Sequence, residues 1–228
     1  MRVLIVDNTI DRDSWGAGSL KRLALRWPEN TVFVRRAPSG DLPKNLKRFD
    51  SLIISGSRTS CFEQGSWVTQ LDELIRSTLN ERKPILGVCY GHQALVRVVA
   101  GTETLGKGEV SEFGWTEIQT LSESSRLLNG LGKKFHSFSA HHEEVKKLPP
   151  GLRCVARSKD CAIQAFESDE QPIFGIQFHP ERNILESEKT FSECRKTGSP
   201  SRLLNPGQGD RFYDSAVGET IFKNFFAL

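Results

Sequence analysis

The chain predicts an α/β fold, an open and mostly parallel sheet flanked by helices, on three observations. Short apolar, β-branched runs alternate with amphipathic segments through the first hundred residues. This β-α-β-α order favours parallel strands covered by helices on both faces. One run, Ile85-Leu86-Gly87-Val88-Cys89-Tyr90-Gly91, passes straight into a helix-compatible segment, a tight strand–turn–helix junction.

Each element follows from its residues. Arg2–Val6 is the first strand; the stretch from Met1 to Asp7 is too short and too soon polar for a signal peptide. A helix over Ala17–Arg26 leads to a strand at Thr31–Arg35. Ser51–Ile54 is the third strand, followed by a helix over Trp67–Asn80. Pro84–Val88 and the helix Gln93–Ala100 complete the regular half. Strand ends near Asp7, Gly56 and Cys89 then share one edge, where open α/β sheets place their sites. From Thr102 to Arg157 the pattern is shorter and more irregular, as for added strands and loops. Ala162–Phe166 and Pro172–Phe178 read as adjacent strands joined by the polar turn Glu167–Gln171.

Arg182 to Asp214 offers few apolar residues and many turn formers, so it reads as mostly loop with one short helix at Ile184–Arg195. A tolerated surface loop, a lid and a partner-docking element are all compatible with it. Val217, Ile221, Phe222, Phe225 and Phe226 recur at helical spacing and predict a closing helix packed on the core. Residues 1–228 form a single domain in this reading, with a loop insertion at 182–214.

Hydrophobic and charged fractions of 37% and 26% are those of a soluble globular chain. The net charge of +3 comes from interspersed signs, so nothing points to nucleic acid. No apolar run approaches a membrane span. Five cysteines without a Cys-x-x-Cys pair argue against a disulfide framework and against zinc. The cytoplasm is the expected compartment, and no metal or other cofactor is expected.

The chemistry concentrates at Cys89. A thiol in Gly-x-Cys-x-Gly between strand and helix matches the elbow that exposes a nucleophile in Gly-x-Ser-x-Gly hydrolases. Free N–H groups at the helix start would favour the thiolate and hold an oxyanion. Alone, the motif is equally compatible with a buried structural cysteine. Ninety residues on, an apolar run ends in Phe178-His179-Pro180-Glu181. Along extended chain His179 and Glu181 point the same way, and a carboxylate beside an imidazole fixes its tautomer. Together they read as a Cys89–His179–Glu181 triad. His92, His136 and the adjacent pair His141-His142 carry no such constellation, and neighbouring histidines converge poorly on one ion.

With these motifs the chain resembles the class I (triad) glutamine amidotransferases, in a free-standing form similar to the amidotransferase portion of GMP synthetase. Gly87-Val88-Cys89-Tyr90-Gly91-His92-Gln93 is similar to the family's nucleophile motif, and Phe178-His179-Pro180-Glu181 to its His-Pro-Glu motif. Ile53-Ile54-Ser55-Gly56-Ser57 resembles the family's oxyanion loop, and Ala140-His141-His142-Glu143-Glu144-Val145 its His-x-Asp segment. The resemblance implies a flavodoxin-like architecture and hydrolysis of glutamine's side-chain amide through a γ-glutamyl thioester. It further implies oxyanion N–H groups at Gly56 and Tyr90, and substrate contacts at Gln93, Ala140 and His141.

One departure stands out: the loop reads Gly56-Ser57-Arg58 where the family usually has Gly-Gly-Pro. A positive φ at the second position would strain Ser57. The chain has no Walker-type phosphate loop of its own, so released ammonia needs a separate synthetase as partner. Two other functions remain open at this point. One is a hydrolase of γ-glutamyl peptides or amides acting alone; the other is a non-catalytic binding or regulatory protein of the same fold.

Overall fold

The first strand shows how the sheet is built: Val3 and Ile5 pack into one hydrophobic layer, Leu4 and Val6 into the opposite one. A strand buried on both faces needs helices on both, and the computed structural model supplies them; it describes residues 1–11, 16–199 and 202–228. The strands are β1 (Arg2–Asp7), β2 (Thr31–Arg36), β3 (Ser51–Ile54), β4 (Ile85–Val88), β5 (Leu105–Thr120), β6 (Lys134–Val145), β7 (Leu152–Arg157), β8 (Ala165–Ser168) and β9 (Ile173–Ile176). The helices are α1 (Gly16–Ala24), α2 (Ser66–Asn80), α3 (Tyr90–Ala100), α4 (Ile184–Thr197), the short α5 (Gly209–Phe212) and α6 (Ser215–Phe226). Helices α1 and α6 contribute to the first apolar layer, α2 and α3 to the second.

Strand order is β2-β1-β3-β4-β9-β8-β7-β5-β6. The first five strands pair in parallel, as the alternation predicted. Beyond β9 every pairing is antiparallel, so the sheet is mixed. The reason is local, since β8 and β9 are joined by too few residues for a crossover and must form a hairpin. Both hairpin strands are shorter than predicted, and the chain leaves β9 at Ile176, ahead of Gln177-Phe178-His179.

The irregular stretch from Thr102 contains the two longest strands. β5 and β6 run for 16 and 12 residues as one hairpin. Glycines 106, 108 and 114 and a register shift between Lys107 and Glu112 break the alternation that would have marked it.

The segment 182–214 departs further from its composition. Helix α4 lies where the short helix was predicted, opened by a capping box between Asn183 and Glu186. The expected lack of apolar contacts is wrong, however. Phe191 is fully buried against Trp115 and Phe138, with Ile184, Leu203, Phe212 and Tyr213 packed around them. Leu204 extends the seam: its N–H donates to Phe113 O (2.7 Å) and its carbonyl accepts from Trp115 N (3.1 Å). Gly114, at φ 134°, lets Leu204 approach this closely, because a Cβ there would strike the Leu204 carbonyl. Residues 200 and 201 of this segment lie outside the described set.

The closing helix behaves as its spacing predicted. Val217, Ile221, Phe222 and Phe225 are buried, Phe226 packs edge-on to Trp27, and the Asp214 side chain caps the helix at Ala216 N.

Candidate active site

Cys89 occupies the single residue between β4 and α3, at φ 52° and ψ −104°. Backbone of that kind costs a non-glycine residue on the order of 1–3 kcal/mol and persists only where its surroundings enforce it. Here Cys89 N donates to Ile176 O of the neighbouring β9 (2.8 Å), while Cys89 O accepts from Gln93 N (3.2 Å). A Cβ at Gly91 would strike the Ile54 carbonyl of β3, so glycine lets α3 close down over the strand ends.

His179 arrives from the adjacent strand. Its N–H donates to Phe138 O (2.7 Å) on β6, and its Nδ1 lies 2.8 Å from Glu181 Oε1. Two residues along β6, Ala140 O lies 3.9 Å from Cys89 Sγ. One strand therefore touches both the cysteine and the histidine. All three expected triad residues are buried, at 5%, 1% and 6% exposure for Cys89, His179 and Glu181.

A cavity of about 380 Å³ opens on this point, and Cys89, Gln93, Ala140 and His141 all line it. Gln93 Nε2 donates to Glu143 O (2.6 Å) and to Gln177 Oε1 (3.0 Å), tying α3 to β6 and to the exit of β9. His141 Nε2 lies 3.0 Å from Glu112 Oε2. Glu112 also accepts from Ser158 Oγ (2.6 Å) and from Gln164 Nε2. Glu112, His141 and Cys161 could offer donor atoms within 4.8 Å of one another to a cation. The Glu112 carboxylate is already satisfied by three hydrogen bonds, so the cluster works without an ion as a clamp orienting His141. Gly56 and Tyr90 do not line the cavity with side chains. Each instead follows a strand end, Gly56 beyond β3 and Tyr90 at the first turn of α3, in strands paired at Ile54 and Gly87.

Ser57 does not adopt positive φ, so replacing the family's glycine creates no strain there. Its hydroxyl donates to Asn8 O (2.8 Å) and accepts from Thr59 N (3.0 Å), which holds the loop by other means.

Electrostatics correct the expectation of a resting thiolate. Burial pushes the Cys89 thiol up to about 12, and Glu181 raises it further. The Tyr90 N–H and Arg182 oppose this and lose. Desolvation thus outweighs the helix terminus. Burial also lowers His179, against Glu181, which raises it. The resting pair is neutral thiol and neutral imidazole. Alkylation of Cys89 by an uncharged reagent should therefore accelerate about tenfold per pH unit from pH 7 to 10, because the thiolate fraction grows tenfold per unit below the pKa. The measurement is the pH–rate profile by mass spectrometry, with Cys89→Ala as control. A level profile below pH 8 would instead reveal a thiolate–imidazolium pair.

Sequence motifs did not reveal the far wall of the cavity. Arg58 and Ser60 face it from the loop after β3, and Thr190, Glu193, Cys194 and Thr197 from α4. Polar residues four apart on a helix look like a solvated face, and no signal in the chain marks them otherwise.

Comparison with known proteins agrees with this geometry. A model of the family described as glutamine amidotransferase class-I matches residues 22–194. The glutamine-hydrolysing subunit of the GMP synthase from Pyrococcus abyssi is 43% identical over 98 residues, 43% of this chain and 50% of that one. The match thus spans about half the length of that relative. The corresponding subunit of Methanocaldococcus jannaschii is 33% identical over 163 residues, covering 72% of this chain and 79% of that one. The crystal structure of a glutamine amidotransferase from Thermotoga maritima shares the fold, with a TM-score of 0.80 over 99% of this chain and 96% of that one at 20% identity. Among the described residues no helix is long and apolar enough to cross a membrane. A family match over most of the chain, together with a relative aligned over more than two thirds of both sequences, places this protein in the class-I glutamine amidotransferase family.

Proposed function

We propose that this protein hydrolyses the side-chain amide of glutamine and passes the ammonia to a separate synthetase. The observation that carries the reading is Cys89 held at positive φ on the cavity floor, with the buried His179–Glu181 pair joined to it through β6. In this reading the Cys89 sulfur attacks the carboxamide carbon as His179 takes the thiol proton. The backbone N–H groups of Tyr90 and Gly56 receive the charge developing on the carbonyl oxygen. His179 returns its proton to the departing nitrogen, which leaves as ammonia. It then takes a proton from water, whose oxygen attacks the γ-glutamyl thioester; glutamate leaves and the thiol is restored. Glu181 orients the imidazole and stabilises its charged form, while Gln93, Ala140 and His141 shape the substrate wall.

The neutral resting pair supports this order of events, since proton transfer then accompanies attack rather than preceding it. Five unpaired cysteines fit a reducing compartment such as the cytoplasm. The named activity of the similar GMP synthase subunits supports the synthetase as partner.

A second reading, a γ-glutamyl peptide or amide hydrolase acting alone, is favoured by the size of the cavity and by its polar far wall. The two separate in one experiment. Purified protein is assayed for ammonia release from glutamine and for cleavage of a panel of γ-glutamyl peptides, with and without the catalytic component of a GMP synthetase. The first reading expects glutamine to be preferred and its hydrolysis to be stimulated by the synthetase. Faster cleavage of the peptides, indifferent to the synthetase, would favour the second.

A further inference from the structure

An ion pair spans the cavity near Cys89: Arg58 Nη2 lies 2.6 Å from Glu193 Oε2. Arg58 belongs to the loop after β3, Glu193 to α4, and both line the cavity. Among the described lining residues Arg58 holds the only permanent positive charge. The carboxylates are Glu143 and Glu193. Glu143 is committed to its own loop, accepting from Ser60 Oγ (2.6 Å) and Cys61 N (2.7 Å). These bonds steady the turn that carries Arg58. Glu193 has no such backbone duty. Both partners of the pair are substantially exposed, at 55% and 39%, so solvent screens their attraction and either can exchange its partner cheaply.

We infer that Arg58 and Glu193 form the recognition site for the α-carboxylate and α-ammonium of the substrate, restricting the enzyme to side-chain amides of free α-amino acids. The inference rests on the hydrolase reading above. A zwitterionic headgroup is the ligand that matches one cation beside one anion at the open end of a cavity whose floor is a nucleophile. The guanidinium fork would take the carboxylate, and Glu193 the ammonium, so neither charge loses a partner when the pair opens. The spacing suits glutamine. Arg58 follows Gly56 by two residues, at most about 7 Å of chain. Two methylenes separate glutamine's α-carbon from its carboxamide, so the headgroup falls one loop step from the oxyanion position.

The test is steady-state ammonia release by wild type, Arg58→Ala and Glu193→Gln on three amides. These are L-glutamine, glutaramate, which lacks the α-ammonium, and 4-aminobutanamide, which lacks the α-carboxylate. Arg58→Ala should raise KM about 10- to 100-fold for glutamine and glutaramate with little change in kcat, and leave 4-aminobutanamide unaffected. Glu193→Gln should raise KM for glutamine and 4-aminobutanamide and spare glutaramate. A glutamine KM that shifts less than about threefold in Arg58→Ala, or an equal loss on 4-aminobutanamide, would overturn the assignment while leaving the hydrolase reading intact. Glutaramate losing as much as glutamine in Glu193→Gln would remove the ammonium half. A wild type inert towards all three amides would overturn the hydrolase reading, and this site with it.

Discussion

Replacing Cys89 or His179 by alanine is expected to lower glutamine hydrolysis by about 10⁴-fold or more, each alone costing nearly as much as both together. The non-additivity follows from the proton economy of the site. Cys89 rests as a thiol pushed up to about 12, so without an imidazole to take its proton it is scarcely nucleophilic at neutral pH. Without the sulfur, the imidazole has nothing to activate. Glu181→Gln should be milder, about 10²- to 10⁴-fold, because Glu181 exchanges no proton with substrate. It holds Nδ1 at 2.8 Å and offsets the burial that lowers His179. The variants are compared by kcat/KM on glutamine, with near-UV circular dichroism to confirm folding. A fully active His179→Ala would mean that another base serves Cys89. A Glu181→Gln as dead as Cys89→Ala would move Glu181 from orienting the imidazole to sharing its proton.

The parts of this site that could be read in the chain are those written in contiguous residues. Gly87, Cys89 and Gly91 specify an elbow because two missing Cβ atoms and one strained residue are local facts. His179 and Glu181 are two apart, so their alignment follows from extended backbone alone. The Cys89 protonation state was misjudged for the opposite reason. A helix N-terminus is visible in sequence, but the desolvation that overrides it arises when β4, β6, β9 and α3 close together. Glu112 belongs to the same class: its partners His141, Ser158 and Gln164 come from across the antiparallel half, and only the folded sheet unites them. Arg58 and Glu193 lie 135 positions apart, and each alone is an ordinary surface charge.

Phe191→Ala is expected to destabilise the protein by about 3–5 kcal/mol, the range for emptying a fully buried aromatic site. Composition suggested that 182–214 could be removed at small cost, and the packing reverses that expectation. Phe191 stacks edge-on to Phe138 at 5.4 Å, and Phe138 in turn meets Trp115 at 5.5 Å. Phe138 also accepts the His179 N–H at its backbone carbonyl, so the cluster that α4 completes is one bond from the proposed base. Few apolar residues are present in the segment, but nearly all converge on one patch of the β5–β6 hairpin that would otherwise face water. A shortened chain joining Glu181 directly to Val217 should therefore expose Trp115 and Phe138 and lose cooperative unfolding. Phe191→Leu, which keeps much of the volume, should cost about 1.5 kcal/mol or less. Urea unfolding followed by tryptophan fluorescence measures both substitutions. A cost below about 1 kcal/mol for Phe191→Ala, or a shortened chain that melts like the parent, would return the segment to a dispensable surface loop.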